Sequence, residues 1–89
     1  MSSKSGQITV AVVGTAQAGP DEVGGEFFLK AHPDNTDTVW VGNVLSDVSS
    51  ANGFPLNPGE TVLVKVSNLV DLYFDVDVNG EKICWLKVW

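Results

Sequence analysis

Apolar side chains in this chain recur at every second position, and this alternation limits the fold more than any other feature of the sequence. It is clearest in three runs, residues 7–13, 61–67 and 71–78. Alternating positions point to opposite faces of a β-strand, and no segment shows the spacing of every third or fourth position that is typical of a helix. Valine, the most frequent large residue, also favours strands. The chain is therefore predicted to be all-β.

Turn-forming residues divide the alternating runs into about six strands. Asn57-Pro58-Gly59-Glu60 has the pattern of a type II turn, because proline presets the second position and glycine allows the positive φ of the third. Asn79-Gly80 is typical of a two-residue hairpin, which would pair the last two strands. We expect a single antiparallel β-sandwich or a small jelly-roll-like barrel. The predicted strands are residues 7–13, 26–31, 38–43, 61–67, 71–78 and 82–88.

Two segments are expected to lie outside the strands. The longest connection, residues 44–59, contains Phe54-Pro55-Leu56, which we expect to pack as a plug over an edge of the core. Residues 1–6 are polar or small and are predicted to form a flexible N-terminal arm, which could become ordered on a neighbouring protein. Residues 7–89 are then predicted to form a single β domain.

The size of the chain makes stability a constraint. A domain of 89 residues buries only about 63% of its unfolded surface, so it needs good packing, a metal, a disulfide or a neighbouring subunit. Cys84 is the single cysteine, which excludes an intrachain disulfide. His32 is the single histidine, so a zinc site built from cysteine and histidine is not expected, and no cofactor is predicted.

The net charge and composition of the chain limit the classes of partner that we expect it to bind. Five lysines and eleven carboxylates give a net charge of −6, so nucleic acid is not an expected partner. The sequence has no apolar run of the ~20 residues that cross a bilayer, so a membrane is not expected either. Residues 1–7 are polar and do not resemble a secretory leader, and we expect synthesis in a cytoplasm.

The residues that could carry chemistry do not form a recognisable catalytic pattern. Residues 75–80 match the first half of a calcium loop, but the twelfth position, which needs a bidentate acid, is Leu86. We therefore expect Asp75 and Asp77 to lie on the solvated face of a strand, and cation binding by this pair stays open. His32, next to Pro33, is expected to be a turn residue rather than a general base. The protein is predicted not to be an enzyme.

The last predicted strand carries apolar side chains on both of its faces. Ile83 and Trp85 alternate with Cys84, Leu86 and Val88, whereas a sheet with one wet face should alternate apolar with polar residues. Other apolar residues out of phase with their own strands are Val13, Phe27, Trp40 and Leu63. Two interpretations remain open: burial on both faces of a closed barrel, or a subunit interface that supplies the missing stability.

An ordered set of motifs runs through residues 38–89. It consists of Val39-Trp40-Val41-Gly42-Asn43, Gly53-Phe54-Pro55-Leu56 with Pro58-Gly59-Glu60, Asn68-Leu69 with Leu72-Tyr73, and the Asn79-Gly80 turn before an aromatic end. This set resembles small structural proteins of tailed-phage particles. The resemblance implies a short β domain on the virion, either as a capsid decoration (cement) protein, commonly a trimer, or in a fibre or neck.

The resemblance implies a homotrimer on the capsid exterior of the virion that binds the major capsid protein and stabilises contacts between its subunits. An acidic exterior agrees with a position away from packaged DNA. The alternative is a carbohydrate- or receptor-binding module of a phage fibre or neck, with Trp40 or Trp89 as a stacking platform. The interface candidates are Ser2, Ser3, Lys4 and Gln7 in and beside the arm, together with five residues expected to be core or interface anchors: Trp40, Phe54, Leu56, Trp85 and Trp89.

Overall fold

The chain folds into two four-stranded antiparallel sheets that pack face to face. The computed structural model describes residues 4–42, 48 and 52–88, with overall dimensions of 35 × 26 × 18 Å. Sheet A has the strand order β1-β8-β3-β6 and sheet B the order β2-β7-β4-β5. The prediction of an all-β, sandwich-like fold is confirmed. The strands are β1 (Lys4–Val10), β2 (Gln17–Ala18), β3 (Glu26–Ala31), β4 (Val39–Gly42), β5 (Phe54–Leu56), β6 (Thr61–Lys65), β7 (Tyr73–Val76) and β8 (Glu81–Lys87).

The core lies between the two sheets and is built from alternate residues of the strands. In β3, Phe27, Leu29 and Ala31 are fully buried, and Phe74 and Val76 of β7 face them from sheet B. Trp85 of β8 lies edge-on to Phe27, with ring centroids 6.3 Å apart and an interplanar angle of 69°, a favourable aromatic arrangement. The period-two pattern therefore produces one apolar layer, as expected.

The turn at residues 57–60 has the predicted features. Gly59 has a φ of +84°, which the third position of a type II turn requires. The backbone N–H of Glu60 donates to the Asn57 carbonyl at 2.9 Å, and the Glu60 carboxylate accepts from the Asn57 N–H at 2.8 Å. This turn leads directly from β5 of sheet B into β6 of sheet A.

The prediction that residues 82–88 pair back on residues 71–78 is wrong. β8 pairs with β1 and β3 in sheet A, whereas β7 pairs with β2 and β4 in sheet B. The Asn79-Gly80 turn carries the chain from one sheet to the other, and the Gly80 N–H donates to the Val10 carbonyl at 2.8 Å. A two-residue turn reverses the chain, but β7 ends at Val76 and the residues between the strands give the chain room to change sheets.

Residues 54–56 form an edge strand rather than a plug. Phe54–Leu56 pairs with β4, with Leu56 opposite Val39 and Pro55 opposite Trp40. Pro55 is compatible with this position because β5 is at the edge of sheet B, where one side of the strand needs no ladder donor. Leu56 is buried in the core, whereas Phe54 stays 52% exposed.

The first strand begins earlier and ends earlier than predicted. β1 starts at Lys4, and Lys4, Ser5 and Gly6 pair with residues of β8 in regular register. The absence of a side chain at Gly6 permits this pairing, because a Cβ there would lie 2.9 Å from ring atoms of Trp85. Residues 4–6 therefore belong to sheet A instead of a free arm, and Ser2 and Ser3 lie outside the described residues.

β7 is shortened at its start by a single turn of 3-10 helix, Leu69–Asp71. Asn68 caps this turn: its side-chain oxygen accepts from the N–H groups of Val70 and Glu22, both at 3.0 Å. Its amide donates to Asp21 at 2.7 Å. Asn68 thus ties the turn to the segment before β3.

The described part of the chain contains no helix long and apolar enough to cross a membrane.

Candidate interaction surface

Three large apolar side chains form a row on the outer face of sheet A. The register places Leu86 of β8 opposite Phe28 of β3, and Phe28 opposite Leu63 of β6. These three side chains are 41%, 39% and 45% exposed, respectively. A solvated sheet face normally carries polar residues, so this row is the clearest departure from the pattern of an isolated soluble domain. Of the out-of-phase residues noted in the sequence, Phe27 is instead fully buried and its neighbour Phe28 faces out.

A second row lies beside the first one. Gln7, Cys84, Lys30 and Thr61 are successive register neighbours across β1, β8, β3 and β6. Between the two rows is an open depression of about 400 Å³ whose walls include Phe28, Cys84 and Leu86. We call the outer face of sheet A the Phe28 face; it includes Gln7, Glu26, Phe28, Lys30, Thr61, Leu63, Lys65, Lys82, Cys84 and Leu86.

The Phe28 face carries positive charge although the chain is acidic. Three of the five lysines, Lys30, Lys65 and Lys82, are exposed on it. Among the described strand residues of this face, Glu26, opposite Lys65, is the only carboxylate. The net charge of these groups is therefore positive, whereas the whole chain carries −6. Three of the five lysines and the apolar row of Phe28, Leu63 and Leu86 thus share one sheet face.

The two remaining lysines hold Glu22 at one end of the sandwich. Lys4 of β1 and Lys87 of β8 approach the two carboxylate oxygens of Glu22 at 3.1 and 3.2 Å. Hydrogen bonds from Lys4 and then Lys87 hold the pKa of Glu22 below its ordinary value, although desolvation opposes them. These contacts fasten the first and last strands of the chain to the segment between β2 and β3.

Two of the predicted interface anchors are core residues. Trp85 and Leu56 are only 7% and 3% exposed, and both belong to the apolar layer between the sheets. They therefore stabilise the chain itself and offer no contact surface to a partner. Of the other candidates, Gln7 is exposed on the outer face of sheet A and Lys4 is bound to Glu22. Trp89 lies outside the described residues.

Trp40 and Phe54 remain at the surface, but on sheet B. Trp40 is half-buried on β4, and its indole N–H lies 3.2 Å from both carboxylate oxygens of Asp77. Phe54 is exposed on the edge strand β5. The anchors predicted from the sequence therefore do not form one surface, because they divide between the core and sheet B.

Asp75 and Asp77 are structural groups, and the expectation of a solvated pair is wrong for Asp75. Asp75 is only 5% exposed, and its carboxylate accepts from the N–H groups of Gly14 at 3.0 Å and Val76 at 2.8 Å. The loop after β1 thus folds onto this part of sheet B. Asp77 holds the indole of Trp40. Among the described residues, no three His, Cys, Asp or Glu side chains lie close enough together to hold a metal ion.

His32 has a local role in the turn after β3, as expected. Its Nδ1 accepts a hydrogen bond from the Asp34 N–H at 3.0 Å. Close by, the buried carboxylate of Glu81 accepts from the N–H groups of Thr36 and Asp37 at 2.6 and 3.1 Å. These contacts stabilise the connection from β3 to β4.

Comparison of the chain with protein-family models, with curated proteins and with solved structures finds no match. The sequence already indicated Leu63 as an out-of-phase residue and Leu86 as part of a second apolar face on the last strand, but it did not indicate Phe28. The phase of β3 contains the missing signal: Phe27, Leu29 and Ala31 share the inner face, so Phe28 and Lys30 must share the outer one.

Proposed function

We propose that this chain is a non-catalytic structural protein of a tailed-phage virion. In this proposal it is a capsid decoration (cement) protein that binds the outer capsid surface as a homotrimer and stabilises contacts between major capsid protein subunits. The observation that supports this role best is the exposed apolar row of Phe28, Leu63 and Leu86 on the outer face of sheet A. Such rows on soluble domains mark contact sites for other proteins.

The size of the row fits repeated weak contacts better than one strong contact. With about 40% of each side chain exposed, the row offers roughly 200 Å² of apolar surface. Its complete burial would contribute roughly 5 kcal/mol before the costs of association. A stable complex of two proteins needs about 800 Å² from each partner. A homotrimer that presents three such faces to a repeating shell would gain the missing affinity through avidity.

The resemblance to phage structural proteins supports the proposal at the level of the fold. The motif residues Gly59, Asn68 and Gly80 form turns and a helix cap in the structure. Gly42 packs against Val48, since a Cβ there would lie 2.8 Å from a valine methyl carbon. These residues build a short β domain, which is the fold that the resemblance implies. The net charge of −6 also suits a site outside the DNA-filled shell.

The proposal is tested by cosedimentation with empty capsid shells of the particle that carries this protein. The variant Leu63→Ser/Leu86→Ser removes two of the three exposed apolar side chains. We expect its affinity to fall at least tenfold, because roughly 3 kcal/mol of apolar burial would be lost. The matched control, Val12→Ser/Val23→Ser, changes two exposed apolar residues elsewhere and should bind like the unmodified chain.

Two results would contradict this proposal. One is the absence of binding to shells by the unmodified chain at any concentration tested. The other is equal binding by the Leu63→Ser/Leu86→Ser variant, provided that thermal melts show both proteins folded. The second result would mean that the Phe28 face is not the contact surface.

A carbohydrate-binding role in a fibre or neck is the second candidate, and one observation favours it. Asp77 holds the partly exposed indole of Trp40 in one orientation, and a fixed aromatic ring beside a carboxylate can stack on a sugar and bind its hydroxyl groups. Titration with host surface polysaccharide should then shift the tryptophan fluorescence of the unmodified chain. The Trp40→Phe variant should lose that shift, and no change in fluorescence with the unmodified chain would exclude this candidate.

A further inference from the structure

We infer that the Phe28 face docks onto an apolar protein surface rimmed by carboxylates, and that this surface belongs to a protein other than a second copy of this chain. The inference rests on the proposed role of the face as a docking surface. It adds the chemistry of the partner, because it uses the distribution of charge rather than the apolar row alone.

The lysines are placed where they can act on such a partner. Lys30 of β3 is the cross-strand neighbour of Cys84, and Lys82 lies two residues before Cys84 on β8. Lys65 lies two residues after Leu63 on the same face of β6. All three lysines are exposed. Lysine stems can lie along apolar surface while their ammonium groups reach the rim. Carboxylates on the partner would pair with these ammonium groups, steer the encounter and fix the register of docking.

A second copy does not fit the Phe28 face. A two-fold contact would bring two identical faces together and place the lysines of one copy near those of the other, which opposes association. A contact of the Phe28 face with the opposite side of the sandwich would bring its lysines towards carboxylates such as Asp77, which directly follows β7 of sheet B. Contacts between opposite faces repeat in an open stack rather than closing into a small oligomer. Subunits of the proposed homotrimer would therefore meet through other surfaces.

Nucleic acid fits the face less well than a protein does. Single-stranded nucleic acid is bound by stacking of successive bases on several aromatic rings. Phe28 is the only aromatic side chain among the described residues of this face, and its neighbours in the row, Leu63 and Leu86, are aliphatic. The eleven carboxylates of the chain also repel phosphates at long range.

The inference can be tested with a charge-reversed copy of the chain as the partner. The variant Lys30→Glu/Lys82→Glu keeps the apolar row and surrounds it with carboxylates, so it presents the surface that we infer. Both side chains are exposed, and circular dichroism checks that the variant is folded. The unmodified chain is immobilised, and each analyte is measured at low and high salt by biolayer interferometry.

Three analytes separate the explanations. The first is Lys30→Glu/Lys82→Glu, and the second is the unmodified chain. The third is a matched control with the same net charge as the first, in which four exposed residues away from the face become glutamate: Ala11→Glu/Thr15→Glu/Gln17→Glu/Ser67→Glu.

We expect the charge-reversed copy to bind at least tenfold more tightly than either of the other analytes. The binding should weaken strongly from about 50 mM to about 500 mM salt, where charge interactions are screened over a few ångströms. Cys84, in the centre of the face, should react more slowly with a maleimide in the complex. Equal binding of the control would contradict the inference, because net charge rather than the placement of carboxylates would then explain the affinity.

Three further outcomes would overturn the inference. Stronger binding of the unmodified chain to itself would assign the face to a second copy. Tighter binding of a 20-nucleotide single-stranded DNA probe would assign it to nucleic acid. Failure of the charge-reversed copy to bind would show that carboxylates around an apolar row are not what the Phe28 face recognises. The capsid experiment is independent: loss of shell binding with retained binding of the charge-reversed copy would contradict the virion role alone.

Discussion

The substitution Gly6→Ala tests whether residues 4–6 belong to the sheet, as the structure has them. A Cβ at Gly6 would lie 2.9 Å from three ring atoms of Trp85. Trp85 cannot move aside freely, because it is buried and packs edge-on against Phe27 at 6.3 Å. Overpacking of this kind costs about 1–3 kcal/mol. At about 4–8 °C per kcal/mol for a domain of this size, the melting temperature should fall by roughly 4–20 °C.

The measurement is thermal unfolding followed by circular dichroism, with Ser5→Ala as the matched control. Ser5 is exposed on the outer side of the same strand, so its substitution should change the melting temperature by little. In a Trp85→Leu background the smaller side chain removes the clash, and Gly6→Ala should then cost much less. Equal melting temperatures for Gly6→Ala and Ser5→Ala would refute the packing of β1 against Trp85 and favour the flexible arm expected from the sequence.

Three further predictions concern stability. Phe27→Ala should cost about 3–5 kcal/mol because it leaves a cavity in the core, whereas Phe28→Ala, at a position that is 39% exposed, should cost clearly less. Glu81→Ala should cost about 1–3 kcal/mol because the Thr36 N–H loses its buried acceptor, and Glu81→Gln should cost less. Folding lowers the pKa of Glu22. The contribution of Glu22 to the free energy of unfolding is therefore present above its unfolded pKa of about 4.5 and is lost as the pH falls through the folded pKa. In melts at a series of pH values, the Glu22→Gln variant should lose less stability than the unmodified chain as the pH falls.

Local structure could be predicted from the sequence where it depends on a single rule about neighbouring residues. Residues 26–31 were predicted as a strand and form β3 with the same bounds. The turn at residues 57–60 was identified correctly because only glycine adopts its third position easily. The sequence also divided β8 into the two sets of residues that the structure separates, but it did not say which set is buried: Ile83 and Trp85 lie inside and Leu86 outside.

The pairing of strands could not be predicted from the sequence, because it depends on contacts between residues that are distant in sequence. The Asn79-Gly80 turn indicated a hairpin, but β8 joins β1 and β3 because its inner residues complete the core of sheet A. Asp75 appeared solvated in a simple alternation, yet the loop that contains Gly14 folds over it and supplies its hydrogen bond. The sequence pattern of β7 contains no sign of that loop.

The candidate surface was predictable only in part. Leu63 was visible as an apolar residue out of phase, and Leu86 as part of an apolar second face of β8. Phe28 could not be recognised, because it follows Phe27 in a run whose buried face was not known from the sequence. The clustering of three lysines on the same face depends on the register of four strands. That register was not available from local patterns.

The most direct test of the docking role is the alkylation rate of Cys84, the only cysteine in the chain, which lies half-buried in the centre of the Phe28 face. The rate is measured for the free protein and for the protein bound to capsid shells. If the Phe28 face docks on the shell, binding slows alkylation at least tenfold, and the Leu63→Ser/Leu86→Ser variant shows little protection at equal concentration. An unchanged rate in protein that cosediments with the shells would contradict docking through the Phe28 face.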